Sequence, residues 1–232
     1  PNLRAGRILL GFAALRGGQL QEAEAIFAAA IRTESPEAAA LIGLASVKRR
    51  LGLLDEALPL YLRAQGMRPG DAALALRTAD IKLAVTGAAI AQAAALTLEG
   101  RKTEAIGMLR KALDVAPELS SVRLELAQLL LGGGRRAEAI SVLRAAPSPD
   151  SDLTLMLATI RFEDGDPLAA ESIIRNGPRG LAERPDGAAL LTRILERRDF
   201  LALPEPLRAI GEARQITRAE LAALAVVRLR SL

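Results

Sequence analysis

Four stretches of the chain carry one arrangement of small, polar and bulky positions. They are GFAALRGGQLQEAEAIFAAAI from Gly11, ASVKRRLGLLDEALPLYLRAQ from Ala45, AAALTLEGRKTEAIGMLRKAL from Ala93 and AQLLLGGGRRAEAISVLRAAP from Ala127. Each opens on a small residue, reaches a Gly seven positions on, then Glu-Ala, then a bulky apolar side chain and another small one. The glycines are Gly18, Gly52, Gly100 and Gly134. The Glu-Ala pairs are Glu22-Ala23, Glu56-Ala57, Glu104-Ala105 and Glu138-Ala139. The bulky positions are Phe27, Tyr61, Leu109 and Leu143, followed by Ala30, Ala64, Ala112 and Ala146. A fifth, shorter unit has Ala158, Gly165, Ala170 and Ile174.

This pattern predicts two antiparallel helices per unit. Small residues sit where two backbones cross closely. Gly takes the left-handed conformation that ends the first helix. Pro69 and Pro117 end the second helix in two units, because proline cannot continue one. A single unit cannot bury its own apolar face, so neighbouring units stack. Ala23 and Ala57 are 34 residues apart, as are Ala105 and Ala139, whereas Ala57 and Ala105 are separated by 48. The excess falls on Asp71 to Val85, which reads as a helix capped by Asp71, with Leu74, Ala75, Ile81 and Val85 on one face. Thr86-Gly87 is expected to punctuate it, and the extra residues are expected either to insert a helix or to lengthen one. After Gly180 the pattern fades. Further helices are expected over Gly187 to Arg198, Glu205 to Ala213, and from the capping box Thr217-Arg218-Ala219-Glu220 to about Arg230.

The 34-residue spacing, with its Gly, Glu-Ala and bulky positions, resembles the tetratricopeptide repeat. The resemblance implies an all-α, right-handed superhelical solenoid of antiparallel helix pairs, with about five repeats plus extra and capping helices. Residues 1–70 hold repeats one and two, 71–87 the inserted or lengthened helix and a candidate hinge, 88–180 repeats three to five, and 181–232 a degenerate repeat with C-terminal helices. In that family the first helix of each pair lines a concave binding face. Carried onto this chain, the candidates are Phe12, Arg16, Ser46, Arg49, Arg50, Thr97, Gln128, Thr159 and Glu163. Apolar residues on these helices pack against their neighbours as readily as they face a groove. For Arg16, Arg49, Arg50 and Gln128, exposure is expected. Relatives that clamp a C-terminal carboxylate use groove asparagines. Asn2 and Asn176 occupy no such position, so that mode is not expected.

Composition narrows the chemistry. Half of the residues are hydrophobic, mostly Ala and Leu, and aromatics are 2%. These are the strongest helix formers, and strands are not expected. The absence of Cys and His removes the usual zinc ligands, thiol nucleophiles and imidazole catalysis. It also suits the periplasm, without requiring it. The net charge is +4 and the pI about 10.1. The basic residues are interleaved with Glu and Asp, which points to a solvated helical surface rather than a nucleic-acid stripe. A start at Pro1 without a basic, then apolar leader is expected of a processed or excised piece. Apolar runs such as Leu221 to Val227 fall well short of the roughly 20 residues that span a bilayer.

Three stretches resemble sites and are set aside. Glu163, Asp164 and Asp166 surround Gly165, but Asp166-Pro167 reads as a helix cap and no calcium-loop spacing follows. Gly100-Arg101-Lys102-Thr103 lacks the upstream glycine and strand of a phosphate loop. Gly132-Gly133-Gly134 is a turn. No catalytic, metal or cofactor residue is assigned, and the chain is expected not to be an enzyme.

The order of features carries a second resemblance. Two regular units are followed by an offset and two more regular units. Then come the short unit LTLMLATIRFEDGDPLAAESIIRNGP and a helix beginning DGAALLTRILERR. This order resembles the periplasmic repeat region of the BcsC family, the export component of bacterial cellulose synthase. In that family the repeats precede an outer-membrane β-barrel. The resemblance implies a periplasmic scaffold for exopolysaccharide export that joins synthase and export-pore components by protein–protein contacts. Peptidoglycan or the glucan chain would be touched weakly, because sugars are usually gripped on aromatic faces. The alternatives are a cytoplasmic or periplasmic interaction adaptor unrelated to cellulose and, behind it, a helical repeat that binds nucleic acid.

Overall fold

The computed structural model describes residues 2–32, 37–148, 150–205 and 207–208, together with Thr217, Ala222 and Val226. Every element among the described residues is a helix: α1 (Asn2–Arg16), α2 (Leu20–Ile31), α3 (Ala38–Arg50), α4 (Leu54–Met67), α5 (Ala72–Leu98), α6 (Lys102–Val115), α7 (Ser120–Gly132), α8 (Arg136–Arg144), α9 (Ser151–Glu163), α10 (Pro167–Arg175) and α11 (Pro185–Ala202). Two compact units divide at Val122 and Arg123, inside α7.

The turn glycines behave as their spacing predicts. Gly18, Gly52, Gly100, Gly134 and Gly165 all lie between φ 73° and 81°. Behind each, the same hydrogen bond closes the helix end. Gln19 N–H donates to Ala14 O, Leu53 to Lys48, Arg101 to Leu96, Arg135 to Leu130 and Asp166 to Arg161, at 2.8–3.1 Å. This is the Schellman closure, which satisfies carbonyls left over at a helix C-terminus. The Glu-Ala motif then starts the second helix. Glu22, Glu56, Glu104 and Glu138 sit in the first turns of α2, α4, α6 and α8, near the positive end of the dipole. The adjoining Ala23, Ala57, Ala105 and Ala139 are fully buried, the first three on helices that pack against the first helix of their pair.

In the N-terminal unit α1 pairs with α2, α3 with α4 and α5 with α6, while α2 also packs on α3 and α4 on α5. Phe27 fills the first crossing. Its ring meets Phe12 edge-on at a centroid distance of 5.0 Å. The ring also lies so close over Gly11 and Gly43 that a Cβ at Gly43 would overlap it. Tyr61 takes the equivalent place in the next crossing, packed with Leu41, Ala57, Leu74 and Ile81.

The 14 extra residues lengthen one helix. Asp71 caps α5, accepting from Leu74 N–H at 2.9 Å, and the helix then runs 27 residues to Leu98. Thr86-Gly87 does not punctuate it, contrary to expectation. Thr86 is buried, and the helix continues through Gly87 with helical residues on both sides. An isolated glycine costs a helix about 1 kcal/mol, too little to stop 27 residues that bury one face. By length and composition α5 is also long and apolar enough to cross a membrane, although a third of the relevant window is buried in the protein.

In the C-terminal unit, Arg123 Nη1 of α7 donates to Val142 O of α8 at 2.9 Å. α9 pairs with α10, and α11 packs on both. α8 is only 9 residues long and ends before Ala146. Pro147 disfavours helical geometry in the residue before it. Asp166 caps α10 by accepting from Ala169 N–H at 3.0 Å, with Pro167 in the first turn. α11 contains the expected Gly187 to Arg198 and extends it at both ends. Gly187 lies against the Leu181 carbonyl with no room for a Cβ. The helices expected over Glu205 to Ala213 and Thr217 to Arg230 lie for the most part outside the described residues.

Candidate functional site

The candidate face consists of residues on α1, α3 and α5 in one unit, and on α7 and α9 in the other. The structure divides them by what their side chains already do. Phe12 is half-buried and committed to Phe27. Ser46 Oγ donates to Ile42 O at 2.7 Å and lies 3.0 Å from the Tyr61 hydroxyl, which gives that buried phenol its partner. Thr97 Oγ1 donates to Ala93 O and Thr159 Oγ1 to Leu155 O, each within its own helix. Glu163 pairs with Arg136 at 3.1 Å. These five are bound into the scaffold.

Arg16, Arg49, Arg50 and Gln128 are exposed. Arg50 has a second task. Its Nη1 donates to Leu15 O at 2.7 Å, so the side chain of one repeat closes the helix end of the repeat before it. Arg16 and Arg49 make no ion pair among the described residues. Arg16 ends α1 and Arg49 lies in the last turn of α3, and these two helices touch. The first two repeats therefore place cations at the negative ends of adjoining helices, where the dipole favours them.

The neighbouring Lys48 behaves differently. Its ammonium lies 2.8 Å from Glu24 and 2.7 Å from Glu56, which ties α3 to α2 and α4. Hydrogen bonds from Lys48 to Glu24 and then Glu56 hold its pKa above the ordinary lysine value. Lys48 is thereby neutralised, and the free positive charge at this end belongs to Arg16, Arg49 and the outer part of Arg50. A carboxylate or another acidic group is the chemistry that such a cluster accepts.

The acidic trio is accounted for by structure. Arg136 bridges Glu163 and Asp164 and also donates to Ile160 O at 2.8 Å, and Asp166 is the α10 cap. Arg101, in the stretch set aside as a phosphate-loop look-alike, pairs with Glu99 and Glu104 at 2.9 and 2.6 Å. The aromatic side chains are also occupied. Phe27 and Tyr61 are buried, and Phe12 packs on Phe27. Arg193 stands 5.3 Å over the ring of Phe162, and Arg197 stands 5.3 Å over that of Phe200.

The sequence reading missed Gly43, Lys48 and the capping role of Arg50. Gly43 had one available signal, a glycine inside a helix pattern, which needs a packing reason. The partners of Lys48 and Arg50 are 8 to 35 residues away and left no local mark.

Residues 8–72 and 96–153 match models of the tetratricopeptide repeat, together more than half of the chain. No curated protein matches the sequence. Among solved structures, the chain is similar to the P58(IPK) TPR domain, with 13% identity, a TM-score of 0.40, and coverage of 87% of this chain and 57% of that one. It therefore spans little more than half of that relative. It is also similar to a thermophilic TPR protein of Thermus thermophilus, with 19% identity, a TM-score of 0.35, and coverage of 84% of this chain and 98% of that one. A third is MamA of Desulfovibrio magneticus, with 14% identity, a TM-score of 0.32, and coverage of 88% and 99%. With its helix pairs, left-handed turn glycines and buried alanine crossings, the chain belongs to the tetratricopeptide-repeat family, whose repeats mediate protein–protein interaction.

Proposed function

We propose that the chain is a non-catalytic periplasmic scaffold for exopolysaccharide export, joining cellulose-synthase and outer-membrane pore components through protein contacts. The observation that carries this reading is the order of the repeats. Two regular pairs, one helix lengthened to 27 residues, further regular pairs and a short fifth unit follow one another, an order that resembles the BcsC family. The cysteine-free composition suits an oxidising compartment. The partner is protein rather than glucan, because sugar binding favours open aromatic faces and the rings of this chain are packed or covered.

Binding runs through the exposed cations of the first two repeats. Replacing Arg16 and Arg49 by Glu in the full-length exporter is expected to slow association, weaken its salt dependence and lower recovery of synthase components in a pull-down. Secreted glucan is measured in parallel. Arg50→Glu is kept as a separate variant, since it also removes the α1 closure. Normal recovery and secretion with both arginines reversed would remove them from the interface. Intact export after deletion of the whole repeat region would defeat the scaffold reading.

A further inference from the structure

α11 lies alongside α9, which carries Thr159 and Glu163 of the candidate face. Arg184, which precedes α11, meets Asp152 in the first turn of α9 at 2.8 Å. Arg193 of α11 stands 5.3 Å over the ring of Phe162, in the last turn of α9. These contacts lie nine residues apart on one side and ten on the other, so the two helices run side by side in the same direction. α11 buries Gly187, Leu190 and Ile194, and its Arg198 reaches Glu171 of α10 at 3.0 Å. Arg193, Arg197 and Phe200 follow one another at spacings of four and three on a different face.

Arg193 and Arg197 are exposed and held in place without a carboxylate. Arg197 stands 5.3 Å over the ring of Phe200, and neither arginine makes an ion pair among the described residues. A carboxylate was within reach. Glu196 follows Arg193 at the spacing that pairs Arg101 with Glu104 and Arg135 with Glu138. Arg193 lies on the ring instead. A ring attracts a guanidinium by the charge of its face and does not use up the N–H donors, which stay available to a ligand. The side chain is also ordered in advance, which lowers the entropy cost of binding. By contrast, Arg135, Arg136, Arg175, Arg184 and Arg198 of the same unit spend donors on carboxylates.

We propose that Arg193 and Arg197 form a docking site for an acidic segment of a protein partner, one that presents two carboxylates a helical turn apart. The arginines leave α11 one turn apart, about 6 Å along its axis. Glu or Asp at four-residue spacing on a helix presents carboxylates at a similar interval. A guanidinium takes a carboxylate through two parallel hydrogen bonds, which a ring-held side chain is free to make. Glu196 selects against a continuous polyanion. It is exposed and lies between the two arginines in sequence, so an unbroken phosphate backbone would be drawn onto its carboxylate, whereas two separated carboxylates pass on either side. The site does not depend on the export reading, and it lies in the other unit from Arg16 and Arg49.

The probe is a dye-labelled, alanine-rich helical peptide with Glu at every fourth position and both ends blocked, so that only side-chain carboxylates are offered. Titrated with the full chain at low salt, its fluorescence anisotropy is expected to report binding that weakens as salt is added. Arg193→Gln with Arg197→Gln should raise Kd about tenfold or more. Arg193→Lys with Arg197→Lys keeps the charge but not the planar fork, and should bind between the two. It also keeps a cation over each ring, so it remains informative if the glutamine pair disturbs α11. Arg144→Gln, which removes an exposed arginine elsewhere in the unit, should leave Kd unchanged. Failure of the unaltered chain to bind overturns the proposal. So does equal binding of a peptide with Gln in place of Glu, an unchanged Kd in the glutamine pair, or full affinity in the lysine pair. Binding lost in Arg16→Glu with Arg49→Glu, but kept in the glutamine pair, would overturn it and assign the peptide to the first two repeats. A single-stranded oligonucleotide that binds more tightly than the peptide, through the same two arginines, would overturn it too and assign the site to nucleic acid.

Discussion

Phe27 shows how one side chain constrains residues far away in sequence. Its buried ring lies over Gly11 and Gly43, from α1 and α3, and closes the first helix crossing. A methyl group at Gly43 has to displace a ring that has nowhere to go. Gly43→Ala is expected to cost about 1–3 kcal/mol by overpacking, despite the better helix propensity of alanine. Urea unfolding checks this. Phe27→Leu in the same molecule should recover part of the loss, giving a non-additive cycle that two independent sites would not give. Charge at the residue scale has an equally specific case. Glu171 is held below the ordinary glutamate value of 4.5 by a hydrogen bond from Arg175, with Arg198 adding to it. A depressed carboxylate contributes stability above 4.5 and loses it as the pH falls below that value towards its folded pKa. Melting curves from neutral pH downwards should therefore decline below this point, and Glu171→Gln should make the decline shallower.

At the scale of elements, α5 departs from the period of its neighbours. It joins two tasks in one rod. Its first half packs with Leu58 and Tyr61 of α4, and the helix also pairs with α6. Its start depends on Asp71, whose carboxylate accepts from Leu74 N–H. Asp71→Ala should cost about 0.5–2 kcal/mol through loss of the cap, with faster amide exchange confined to the first turns of α5. Unchanged exchange there would mean that burial of Leu74 alone fixes the start. The expectation that Thr86-Gly87 ends this helix gave a local punctuation signal too much weight. Burial of Ile81, Val85, Thr86 and Ala89 on one continuous face overrides it.

For the whole molecule, each unit of the solenoid is stabilised by its own pairs and their neighbours. The cluster around Ala23, Phe27 and Leu44 is separate from the one around Ala158, Ile174 and Ile194. A lesion in the first should stay there. In Gly43→Ala, hydrogen exchange is expected to accelerate across α1 to α4 while amides of α9 and α10 keep their protection. Uniform acceleration through both would show a single cooperative molecule instead. The same local packing leaves Arg16 and Arg49 exposed, whereas Lys48 and Arg136 are tied up in ion pairs between neighbouring helices.

The helix pairs, the turns between them and the family are legible in the amino-acid order alone. Those features rest on hydrogen bonds four or five residues long and on small residues at fixed spacing, so the pattern that makes them is contiguous. The left-handed glycines, the acidic first turns and the Asp71 and Asp166 caps could be read for that reason. Which residues of the candidate face are available was settled by packing. Ser46, Arg49 and Arg50 lie in one short stretch of α3. Yet Ser46 is taken by Tyr61, 15 residues on, Arg50 by Leu15, 35 residues back, and Arg49 faces solvent. Partners at such separations are brought together by contact between repeats, and a repeating pattern cannot distinguish a side chain that meets the next helix from one that meets water.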